Sequence, residues 1–161
     1  MIARLIENLG SEADLFRTFL ELLQRQQERL VANDAAGLNE ISQLLRQKTL
    51  ESQRLSRERQ QLIEQIKTAN AVEGDLNVSR LLELVENDQA MRLRELRQLI
   101  LSLHDDITRV RNSNALLINK ARDCVARTMK MLAQIGAPRG HYAAGGVEAD
   151  RHQAVAVDRR I

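Results

Sequence analysis

Aromatic residues are almost missing from this chain of 161 residues: Phe16, Phe19 and Tyr142 make up the whole 2%, and there is no tryptophan. A core of ordinary globular proportions draws much of its buried area from Phe, Tyr and Trp, so a sandwich, a barrel or an open α/β sheet is disfavoured. Helix breakers are nearly as scarce. Between residues 11 and 135 there is no proline, and Gly37 and Gly74 are the two glycines. The lone Cys124 excludes an internal disulfide and fits a reducing compartment. No apolar run reaches the length of a membrane span, so stable membrane insertion is not expected. The start, Met1-Ile2-Ala3-Arg4-Leu5-Ile6-Glu7, carries an acid early and lacks the apolar segment of a secretory signal. Leucine, glutamine, glutamate and arginine are abundant instead, and these are good helix formers. The expectation is a cytoplasmic, all-α protein.

Charge of one sign is also lacking. Lys and Arg number 24 against 22 Asp and Glu, a formal net charge of +2. The densest internal basic cluster, Arg54, Arg57 and Arg59, is interleaved with Glu51, Glu58 and Glu64. That mixture reads as a solvated helix face rather than a phosphate-binding stripe, so no nucleic-acid partner is expected.

The remaining punctuation sets the layout. Gly136-Ala137-Pro138-Arg139-Gly140, with Gly145-Gly146 soon after, cannot be carried inside a helix. The helical body is therefore placed at 1–135, and residues 136–161, rich in Gly, Ala and Arg, are expected to form a flexible tail. Within the body, Asn33-Asp34 supplies capping oxygens ahead of Leu38, and Glu73-Gly74-Asp75 with Asn77 and Ser79 reads as a stop and a new start. The predicted helices span about 11–32, 35–70 and 77–135, with a short turn of helix over 2–9 before Gly10-Ser11. The fold class is an extended antiparallel helical bundle or coiled coil of about three long helices.

The third predicted helix carries the clearest pattern. Leu96, Ile100, Leu103, Ile107, Val110, Asn114, Leu117, Ala121, Cys124, Thr128, Met131 and Ile135 follow one another at alternating steps of four and three. This is the seam of a left-handed helical coil. The second helix has the same rhythm at Leu38, Ile41, Leu45, Lys48, Ser52, Leu55, Arg59, Leu62 and Ile66, with a polar middle. At the rise of an α-helix the second helix spans roughly 54 Å and the third roughly 88 Å. An antiparallel pair of these lengths leaves residues 113–135 overhanging, unless the first helix reaches them. A second stripe, Ile118, Val125, Met129 and Leu132, joins the seam there. A helix apolar over so wide an arc needs two partners or one deep groove: either the first helix or another chain.

Catalytic chemistry has little to work with. The sequence holds no Gly-rich phosphate loop, no Cys-x-x-Cys and no paired-histidine spacing. His104-Asp105-Asp106 are adjacent on a helix and so point apart, and Glu148, Asp150 and His152 fall in the tail. Cys124 sits on the seam, where it is expected to be a small buried hydrophobe. No enzyme activity, cofactor or metal is expected. Asn114 has two readings: register control within the bundle, or the start of a partner-binding segment in Asn112-Ser113-Asn114-Ala115-Leu116-Leu117-Ile118.

A long-helix body, an Asn-x-Asn-x-Leu-Leu stretch late in its last helix and a Gly-rich end holding one tyrosine together resemble the FlgN family, the flagellar type III export chaperones for hook–filament junction proteins. The pieces that carry the resemblance are Leu30-Val31-Ala32-Asn33-Asp34 with Leu38, Ile41 and Lys48, then Arg111-Asn112-Ser113-Asn114-Ala115-Leu116-Leu117, then Tyr142-Ala143-Ala144-Gly145. They cover about residues 12 to 146, and Val147–Ile161 match no family feature. The resemblance implies a cytoplasmic chaperone that binds C-terminal helical segments of hook-associated proteins, prevents their premature assembly and hands them to the cytoplasmic domain of the export gate. It also implies client contacts at Asn114, Leu117, Ile118, Ala121, Val125, Met129 and Leu132, and a gate contact at Tyr142. The alternative is a structural coiled-coil protein that forms a homo-oligomer through the same seam.

Overall fold

The structure is a computed structural model that describes residues 1–72, 76, 78–83 and 85–136. Every described element is a helix: α1 Ile2–Ala32, α2 Ala35–Ala69, α3 Val78–Glu83 and α4 Asn87–Gly136. The all-α reading holds. The residues from 137 onward, with Tyr142 and Val147–Ile161, lie outside the described residues, as does the expected turn at Glu73-Gly74-Asp75. Two units divide the chain, Met1–Val125 and Ala126–Ile161.

Two boundaries differ from the sequence reading. α1 begins at Ile2 and passes through Gly10 without a break. One interior glycine costs about 1 kcal/mol against alanine, whereas each fully buried leucine returns about 1.5–3 kcal/mol. Leu5 is buried, with Ile6 and Leu9 packed beside it, so burial wins. The predicted third helix is two helices, parted around Val85-Glu86. There the α4 backbone restarts with the Ala90 amide donating to the Glu86 carbonyl at 2.8 Å. Asn87-Asp88, a capping type of dipeptide, marks that restart in the sequence.

The α1–α2 link is a compact piece of capping chemistry. Asn33 adopts the left-handed conformation (φ 54°) and closes α1. Asp34 then caps α2 by accepting the Gly37 amide at 2.9 Å, while Arg29 reaches the same carboxylate at 2.9 Å. The Gly37 amide holds the Asp34 carboxyl below its ordinary value, against a smaller opposing desolvation, and Arg29 adds to the lowering. At the far end of α2, Asn70 donates its side-chain amide to Ile66 O at 2.8 Å, and the left-handed residue is Ala71 (φ 49°).

This link turns α2 back along α1. In the first unit, one core cluster joins Leu5 of α1, Leu62 and Ile66 of α2, Leu81 of α3 and Leu93 of α4. A second joins Ala13 of α1 to Leu96 and Leu103 of α4, flanked by Phe16, Leu20 and Ile100. The short α3 thus closes the end of the bundle where α1 begins and α2 finishes. α4 runs in the direction of α1 and against α2. Along α2 every seam position is buried or half-buried, its polar middle included.

Candidate functional site

The seam of α4 changes character along its length. Leu93, Leu96, Leu103 and Asn114 are buried, and Ile100, Ile107, Val110 and Leu117 are half-buried. From residue 118 to the end of the first unit every side chain is exposed, and in the second unit the same holds for residues 126–135. The four-three spacing does not falter at this point. What ends is the partner.

Polar contacts mark the last turn of α4 that α1 holds. Asn114 Nδ2 donates to Leu23 O at 2.8 Å and to Gln26 Oε1 at 3.0 Å, and Gln27 Nε2 donates to Ser113 Oγ at 2.8 Å. Asn114 is 2% exposed, and its Oδ1 is buried without a partner. This corrects the expectation that Asn114 faces a client: its amide is engaged by α1, the register-setting use of a polar seam residue. Asn8, near the start of α1, has the same form, donating to Leu55 O at 3.2 Å with its own Oδ1 buried and unpaired. Between them Glu12, 5% exposed, accepts from Arg59 at 2.9 Å. Burial pushes the Glu12 carboxyl above its ordinary value, and the Arg59 charge draws it back only in part.

The other expected contacts divide as follows. Leu117 is half-buried beside Asn114, whereas Ile118, Ala121 and Val125 of the first unit are exposed. Met129 and Leu132 of the second unit are exposed, with Met131 and Ile135 beside them on the same helix. The large apolar side chains from Ile118 to Ile135 are 46% to 79% open to solvent. Isolated exposed apolar residues are ordinary, but a heptad-spaced row of them is not. Cys124 is exposed as well, which corrects its expected burial. The periodicity named the seam correctly as far as Leu117 and could not say where its burial stops, because that depends on the length of α1.

Elsewhere the surface offers little chemistry. Among the described residues no three of His, Cys, Asp and Glu gather as a metal site would need. His104 and Asp105 are exposed side by side, 3.9 Å apart. No described helix is long and apolar enough to cross a membrane.

Among the described residues the first unit is a helical bundle whose α4 seam is packed as far as Leu117 and exposed beyond it. The chain belongs to the FlgN family, whose model, described as FlgN protein, matches residues 1–149. This is a family of flagellar export chaperones. No curated protein and no solved structure matches the chain.

Proposed function

We propose that this protein is a cytoplasmic chaperone for hook–filament junction proteins, that it binds their C-terminal helical segments, and that it delivers them to the export gate. The observation that carries the reading is the uncovered seam of α4. Leu117, Ile118, Ala121 and Val125 of the first unit, and Met129 and Leu132 of the second, supply the apolar contacts, and a client helix would anchor on them at heptad spacing. Holding that segment covers the surface through which the client would otherwise assemble. Tyr142 serves as the contact for the gate's cytoplasmic domain. Tyr142 is the chain's single tyrosine, set in Gly-rich sequence, and aromatic residues are favoured anchors.

Two double substitutions test the two stretches separately. Ile118→Ser with Val125→Ser, and Met129→Ser with Leu132→Ser, are each expected to weaken binding of a junction-protein C-terminal segment about tenfold or more. Helical content should not change, since neither pair is buried. Unchanged affinity in both variants would sink the reading. In the same assay Tyr142→Ala should keep the client while losing capture by the gate domain.

A further inference from the structure

The charges around the exposed stretch of α4 are four cations to one anion. Past Asn114, the charged residues of the first unit are Lys120, Arg122 and Asp123, and those of 126–136 in the second are Arg127 and Lys130. All five are exposed. Among the described residues, none of the four cations stands in an ion pair, and each ion pair found lies at or before residue 109. The bundle, by contrast, pairs its charges: Arg29 with Asp34, Lys48 with Glu51 and Arg59 with Glu12 at 2.8–2.9 Å.

Position gives these cations a meaning. Lys120 and Arg127 lie one heptad apart, each directly before a seam position (121 and 128). In helical coils these flanking positions select the partner by charge. From this we infer that the occupant is an amphipathic helix whose apolar seam is flanked by aspartate or glutamate. The inference rests on the reading of α4 as the client-docking stretch and adds the chemistry of the client.

Two other occupants fit less well. A second copy of this chain would bring its own Lys120 and Arg127 to the same flank, and like charges there disfavour pairing. An anionic lipid surface would answer the charges but has no use for seam register. The four-three spacing that is buried or half-buried from Leu96 to Leu117 recurs in the sequence at 121, 124, 128, 131 and 135. The stretch also lacks the Trp and Phe that interfacial helices favour.

The test uses the full chain and three probes: a four-heptad peptide with leucine on its seam and glutamate at its flanks, the same peptide with lysine at its flanks, and phosphatidylglycerol vesicles. The glutamate peptide should bind, more weakly as salt rises, and the lysine peptide and vesicles should not. Lys120→Glu combined with Arg127→Glu should weaken the glutamate peptide about tenfold and favour the lysine peptide instead. Far-UV circular dichroism checks that this exposed double variant stays folded. Equal binding of both peptides, vesicle binding in place of the glutamate peptide, or self-association through residues 118–135 would each overturn the inference. If charge makes no difference while the Ile118/Val125 and Met129/Leu132 variants abolish binding, the inference falls and the docking reading stands. If those apolar variants change nothing, the docking reading falls with it.

Discussion

At the scale of single residues, Asn8, Glu12 and Asn114 are polar groups buried among the leucines of the bundle. Asn114 leaves one amide oxygen buried without a donor, which costs about 1–3 kcal/mol. What it returns is register, because its Nδ2 reaches Leu23 O and Gln26 Oε1 at one alignment of α4 on α1. Asn114→Leu should therefore raise the unfolding midpoint, by about 1 kcal/mol of stability, while size-exclusion chromatography shows a broader mixture of oligomers. A lower midpoint would show that the amide is a net stabiliser. Glu12 makes a different prediction. Its carboxyl is raised by burial, so the protonated form is the one folding favours. Its stabilising effect is full below the ordinary carboxyl value and is lost as pH rises through the raised folded value. Glu12→Gln, which can still accept from Arg59, should be the more stable protein at neutral pH, and the difference should close in mild acid. Urea melts at pH 7 and pH 4 measure both. Neither residue stood out in the sequence: Glu12 lies outside any seam pattern, and Asn114 had two readings that only the position of α1 could separate.

At the scale of elements, the hairpin link is the most constrained segment. A Cβ at Gly37 would meet Asp34 Oδ2 at 2.5 Å and Arg29 Cδ at 2.9 Å. Gly37→Ala should thus lower the melting temperature, although alanine is the better helix former by about 1 kcal/mol. The loss should fade as pH falls through the lowered Asp34 value, since the cap it disturbs is strongest when that carboxyl is charged. Alanine at Gly10 meets nothing within 4 Å and serves as the control, with a higher melting temperature expected. Asn33-Asp34 was legible as this link because capping needs particular oxygens at particular places. The start of α1 was not, since the burial that carries the helix through Gly10 comes from α2, α3 and α4. The break before α4 was missed for a related reason: it depends on Leu81, Leu82 and Val85 packing against Leu5, Leu62 and Ile66, a tertiary contact that spacing does not show.

At the scale of the whole molecule, scarcity of aromatics follows from the architecture. Helices that meet along seams of Leu, Ile and Ala need little bulk at each contact. Spacing alone made the seam legible as far as Leu117, where the fold packs it. Its division into a covered part and an open part was not, because that follows from α1 ending at Ala32 while α4 runs to Gly136. In the function proposed above the open part is the surface offered to a client, and amide hydrogen exchange on the full chain reads that proposal most directly. With a saturating junction-protein C-terminal segment, exchange should slow across residues 118–135 and stay unchanged along α2. Protection confined to residues 2–117, with 118–135 exchanging as in the free protein, would contradict the account.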